Sequence, residues 1–192
     1  RITMKSYSPT SPSRRALTSV DYRGLSRVRP WKPLLRRLKD HAGRNSQGRI
    51  TVRHQGGGNK KLYRLVDFKQ NRLDVRAIVE TIEYDPYRTA FIARIKYEDG
   101  VRSYILAPQG MEKGNEVIVS DSAPLKTGNR MRLKHVPVGY RVYNVELTPG
   151  RGGQLARSAG SVSRACRGSA RRKYRPMIGA VFEAWTKVQP YT

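Results

Sequence analysis

Acidic residues are scarce in this sequence. Fourteen Asp and Glu stand against 39 Lys and Arg, for a formal net charge of +25 and a pI of about 11.0. Such a chain repels itself, so a compact state calls for a polyanionic partner. Nucleic acid supplies closely spaced phosphates and releases counterions on binding. Cysteine is nearly missing: Cys166 stands alone. No internal disulfide can form, and a thiolate metal site would need His or carboxylate help. A reducing compartment fits this without being required. His41, His54 and His135 show no ligand-like spacing. No apolar run approaches the roughly 18–20 residues of a membrane-crossing helix, and no secretory apolar region is present. The sequence opens at Arg1 rather than Met, which leaves room for a targeting segment already removed. Hydrophobic residues make up only 38%, below the usual share of roughly 45–50%. The expectation is a modest core with long stretches that do not fold alone.

The charge that is present falls into three zones. Residues 1–64 carry 17 Lys and Arg against two acids, residues 65–149 carry 13 against 11, and residues 150–192 carry nine against one. A near-neutral middle between basic arms reads as one folded module with RNA-seeking extensions. Short segments rich in β-branched and aromatic residues recur through the middle: Tyr63–Phe68, Val75–Tyr84, Ala90–Tyr97, Val101–Leu106, Glu116–Val119 and Arg141–Leu147. Asp99-Gly100 and a series of Pro and Gly separate them. The expected fold class is all-β, a small OB-type barrel with extended basic N- and C-terminal arms. The expected division is a basic arm over 1–62, the barrel over 63–149, a Gly/Arg segment over 150–160 and a divergent stretch over 161–192. A short helix is expected near Pro33–Lys39, with Leu34 and Leu38 either docking on the barrel or leading a basic arm. A second is expected over Met177–Val188, where Ile178, Val181, Phe182 and Trp185 have helical spacing.

The densest chemistry runs from Gly43 to Arg64. Arg44, Arg49, Arg53, Lys60, Lys61 and Arg64 lie there with no acid. Arginine forks match phosphate oxygens in pairs, and lysine acts as a mobile point charge. Gly43, Gly48, Gly56, Gly57 and Gly58 let backbone approach RNA closely. Asn45, Gln47, Thr51, Gln55 and Asn59 suit sugar hydroxyls and base edges. A P-loop is excluded, because Gly56–Lys61 lacks the spacing and the hydroxyl that follows the lysine. His54, among cations, fits neutral hydrogen bonding or stacking better than catalysis. A second segment, Pro149–Gly160, repeats these residue types with Arg151, Gly152, Gly153, Gln154, Arg157 and Ser158. The bland reading of each segment is a solvated loop or linker. Arg88, after the turn pair Asp85-Pro86, either reaches RNA or closes a salt bridge within its turn. Glu83 and Asp85 lack a nucleophile or base beside them and read as structural.

At these residues the sequence resembles the L-two family of large-subunit ribosomal proteins, in its bacterial and organellar form. Ser8–Arg15 carries the resemblance first, with Arg14 and Arg15. Gly43–Gly58, Tyr63–Lys69, Ile82–Pro86, Tyr104–Gly110, Val136–Gly139, Val142–Glu146 and Pro149–Gly160 follow in the family's order. The resemblance implies an OB-like barrel, binding to large-subunit rRNA, and arms threaded into folded RNA. Partners would be that rRNA and neighbouring ribosomal proteins, with no membrane. No cofactor is expected, and structural Mg2+ only through the rRNA. The family's second, SH3-like barrel is expected after Gly160, where residues 161–192 do not align with it. No histidine follows His135 to match the family's histidine near the catalytic centre. The open readings are a separate chain carrying the second half, true loss, or a sequence joined across a gap. Divided forms favour a mitochondrial ribosome, with a plastid or the bacterial cytoplasm as alternatives.

Other classes fit less well. A free OB-fold single-stranded RNA binder or chaperone would present stacking aromatics, for which Tyr84, Tyr87, Phe91, Tyr97 and Tyr104 are the candidates. A nuclease would need a carboxylate cluster or a Lys/His pair in a cleft. A membrane binder would need a basic amphipathic helix, and Met177–Val188 has one Lys and one Glu.

Overall fold

The computed structural model describes residues 4–165 and the backbone of 180–182. The first strand, β1 (Met4–Ser6), pairs antiparallel with β2 (Thr18–Val20). Between them lies one helical turn, Pro12–Arg15, begun by Pro12 and capped by Ser11, whose hydroxyl accepts the Arg14 N–H. A 3-10 turn over Lys32–Leu34 leads into β3 (Leu35–Arg36), which pairs with β4 (Tyr63–Arg64). Here the structure departs from the helix expected over Pro33–Lys39. Pro33 starts a turn, but pairing with β4 pulls Leu35–Arg36 into extended backbone, and Leu38 is left exposed.

The main sheet contains β5 (Arg76–Glu83), β6 (Ile92–Tyr97), β7 (Arg102–Leu106) and β8 (Glu116–Ile118), ordered β7-β6-β5-β8 and antiparallel throughout. The fold is thus mostly strand, as expected of an OB-type domain. Ala77, Val79, Ala93, Ile95, Ile105 and Val117 form the centre of its core. In β5 the buried face is the odd-numbered one, Ala77, Val79, Thr81 and Glu83, while Ile78 is half exposed. The β5–β6 register shifts between Val79 and Thr81. Such a bulge re-aims the extra side chain, here Glu80, which accepts from Arg94 at 3.0 Å and from Arg102 at 2.9 Å. Hydrogen bonding from Arg102 holds the Glu80 carboxyl below its usual range.

A second sheet contains β9 (Arg130–Met131), β10 (Arg141–Tyr143), β11 (Ser163–Arg164) and β12 (Ala180–Phe182), ordered β11-β10-β12-β9. Its core gathers Met131, Val136, Val142 and Val145. The helix expected over Met177–Val188 is corrected where the chain is described: 180–182 is a strand paired with β10 and β9. Two open strand edges offer those residues more backbone hydrogen bonds than a lone turn of helix does. The remainder of that stretch lies outside the described residues. Ala90, Leu106 and Tyr143, with Phe68, Ala156 and Ala159, join the two sheets.

Tyr97 and Tyr104, in β6 and β7 of the main sheet, are buried, and burial pushes each phenol from 10.0 up to about 12. Both are neutral when folded, so their contribution is complete below pH 10 and lost as the pH rises through 12. Ultraviolet titration should show at least two late-ionising tyrosines, Tyr97 and Tyr104, with secondary structure lost alongside them. Simultaneous ionisation of all tyrosines near pH 10 would contradict this burial.

Candidate RNA-binding surface

The Gly43–Arg64 arm is a built loop. Arg44 bridges Ile50 antiparallel. The Asn45 side-chain oxygen accepts from the backbone N–H of Gln47 at 3.0 Å and of Arg49 at 2.9 Å. Thr51 donates its hydroxyl to the Gly43 carbonyl. Gly43 adopts φ +67, and a Cβ there would overlap the Val52 carbonyl, so only glycine fits. Asn45 and Thr51 therefore hold the loop's shape. That leaves Arg44, Arg49, Arg53, His54, Asn59, Lys60 and Lys61 on a continuously exposed stretch, 44–62. None of its Arg or Lys residues has an acidic partner among the described residues. Gly48, Gly56, Gly57 and Gly58 lie in the same exposed stretch. Arg64 is half-buried, with one guanidinium nitrogen donating to the Leu62 carbonyl. Arg14 and Arg15 sit exposed at the tip of the β1–β2 hairpin, Arg14 packing over Tyr7.

Sequence reasoning missed Arg37 and Lys39. With Lys60, Lys61, Gly58 and Tyr87 they line an open cleft of about 900 Å3. The pairing of β3 with β4 brings these two runs together, and charge alone could not reveal that contact.

The Gly/Arg segment is anchored from below. Gly152 and Gly153 are buried. Gly152 N–H donates to Glu146, and Gly153 N–H donates to the Phe68 carbonyl at 3.0 Å. A Cβ on Gly153 would collide with Asn144. These two glycines thus fix the segment to the protein, while Arg151, Gln154, Arg157 and Ser158 are exposed. Glu146 also holds Arg130 at 3.1 Å, and Arg130 donates to the carbonyls of Phe68 and Lys69, both at 2.9 Å. Burial pulls the Arg130 guanidinium below its ordinary value, against the Coulombic pull of Glu146.

Arg88 closes the salt bridge within its turn, at 2.6 Å to the fully buried Asp85, whose other oxygen accepts the Tyr87 N–H. This fixes the direction of Arg88 over the rings of Tyr63 and Phe68. Arg157 packs over the same Phe68, at 4.5 Å. The turn and the Gly/Arg segment therefore bring two cations to one ring, Arg157 exposed and Arg88 mostly covered and paired with Asp85. Among the described residues no group of three or more His, Cys, Asp or Glu could hold a metal ion.

Residues 31–119 match the family described as ribosomal proteins L2, RNA binding N-terminal domain, and residues 126–175 match the C-terminal domain of the same proteins. The chain belongs to the ribosomal protein L2 family. Large ribosomal subunit protein uL2 of Rickettsia canadensis is 54% identical over 158 residues, covering 82% of this chain and 58% of its own length. The uL2 proteins of Hyphomonas neptunium and Roseobacter denitrificans are 56% and 53% identical over the same share of this chain, with 57% and 56% of their own lengths covered. The chain thus spans less than two thirds of these relatives. The L2 C-terminal match begins ahead of Gly160, where sequence reasoning had placed the start of the second domain, and it takes in β9, β10 and β11.

Proposed function

We propose that this chain is a structural constituent of a large ribosomal subunit, binds rRNA directly and supports subunit assembly and translation, without a catalytic role. The observation that carries this reading is the exposed, acid-free stretch 44–62, held in shape by its own turn. Four acids elsewhere are internally engaged: Glu80, Glu83, Asp85 and Glu146 all face arginines. The net positive field is therefore left to the arms, which suits a polyphosphate partner. The matches to L2 proteins agree with it. Magnesium enters this reading only through rRNA phosphates.

Neighbouring ribosomal proteins complete the surroundings. A separate chain completing the second domain is part of the proposal. It is supported by the strands of two or three residues in the second sheet, with β11 and β9 at its edges. The compartment we propose is mitochondrial, with a plastid or the bacterial cytoplasm as the alternatives. The bacterial relatives support a ribosome of bacterial type.

Sedimentation of a native lysate at high salt, with mass spectrometry of the large-subunit fraction, tests this. The chain is expected there, from the mitochondrial fraction, beside a polypeptide that completes the second domain. Recovery only at the top of the gradient would overturn the ribosomal reading in favour of a free RNA binder.

A further inference from the structure

Four separate parts of the chain meet at one aromatic hollow of about 770 Å3. Tyr22 comes from the N-terminal arm, Tyr63 from β4, Tyr84 and Tyr87 from the turn after β5, and Arg157 and Ser158 from the Gly/Arg segment. Two edge-to-face ring pairs border it. Tyr22 and Tyr84 lie 5.4 Å apart at 79°, and Tyr63 and Tyr87 lie 5.5 Å apart at 73°. Arg88 and Lys61 already lie over the Tyr63 and Tyr87 rings, so Tyr22 and Tyr84 are the pair in this hollow best placed to meet a further aromatic partner. Tyr22, Tyr84 and Tyr87 are each 41–52% exposed, so aromatic surface is open to solvent inside a concavity. The volume falls within the roughly 300–1,000 Å3 typical of small-ligand sites.

We infer that this hollow receives an unstacked RNA base, with a flanking phosphate on Arg157. The inference rests on the rRNA-binding reading and names what that surface holds. A base needs an aromatic face to replace the stacking it leaves, and a base within a duplex has no free face to offer. The tyrosines supply that face. The hydroxyls of Thr89 and Ser158 stand on the same wall for a base edge. Thr89 already accepts the Ala159 N–H and keeps its own proton to donate. Charge selects RNA over an apolar peptide. Arg157 is exposed and has no acidic partner among the described residues, whereas Arg88 is paired with Asp85 and only 16% of its side chain is exposed, so it lends the wall positive charge from beneath. The buried Tyr97 and Tyr104 take no part in this stacking.

The test compares large subunits carrying the full chain with those carrying the Tyr22→Leu, Tyr84→Leu double variant and the Tyr22→Phe, Tyr84→Phe variant. Both positions are about half exposed, so neither variant removes core. Base-specific chemical probing of the rRNA reads the result, with short-wave ultraviolet crosslinking and peptide mapping as a second measurement. The expected result is a protected base whose reactivity rises about tenfold in the leucine variant and stays protected in the phenylalanine variant. A nucleotide adduct should map to Tyr22, Tyr84 or Tyr87. An unchanged reactivity pattern in the leucine variant, with adducts confined to other peptides, would overturn the base site and leave rRNA binding intact. Crosslinks from these tyrosines to another protein would also overturn it. Failure of the wild-type chain to enter subunits at all would overturn the underlying reading instead.

Discussion

Replacing Arg130 by Met should destabilise the isolated chain by about 3–5 kcal/mol, the cost of leaving a buried carboxylate without its partner. Glu146 has 2% of its side chain exposed and Arg130 has 5%, so water cannot substitute. The loss extends beyond the pair, because the same guanidinium satisfies the carbonyls of Phe68 and Lys69. Urea unfolding of wild type, Arg130→Met, Glu146→Leu and the double variant measures this. The double variant should lose at least about 1 kcal/mol less than the sum of the singles, since the two groups share one network. A single-variant loss under about 1 kcal/mol would mean that the pair is solvated. The effect should also reach the RNA: Glu146 holds the Gly152 N–H, and the carbonyl of the next residue, Gly153, accepts from Arg157 at 3.3 Å.

Converting Arg44, Arg49 and Arg53 together to Ala should weaken rRNA binding steeply while leaving stability nearly unchanged. All three are exposed and none belongs to a core cluster. If the arms neutralise about six to eight phosphates, affinity falls with salt at a log–log slope near six. The triple variant should lower that slope by about two to three. Filter binding to a transcribed large-subunit rRNA fragment at several salt concentrations gives both slopes. Equal slopes for the two proteins would show that these arginines do not touch phosphate. Incorporation into subunits should fall in parallel.

The charge map and the strand-rich middle were legible in the sequence because composition and turn residues are local properties. The phase of β5 was not. Ile78 and Tyr84 are about half exposed, while the polar Thr81 and Glu83 are buried and Ile82 packs only partly against the core. Arg94 and Tyr104 arrive from β6 and β7 to satisfy Glu83, and no pattern within β5 shows that. Helical spacing at Val181 and Phe182 misled for a related reason: partners in β10 and β9 decided the conformation. In the candidate surface, the arginines were readable. The roles of Asn45, Gly152 and Gly153 as internal fastenings were not, because they depend on which atoms lie opposite.

One contact between the arm and the barrel bears on the chain's life before it meets RNA. Ser26 N–H donates to the Ile82 carbonyl at 2.9 Å, and the Ser26 hydroxyl accepts the Ile82 N–H at 3.3 Å. β8 covers β5 only at Arg76–Ile78, so the far end of β5 would otherwise present bare backbone. An uncovered strand edge is a template for association with other chains. By laying Ser26 against it, the arm occupies backbone groups that a strand from a second copy would need, and so disfavours edge-to-edge pairing of the chain with itself.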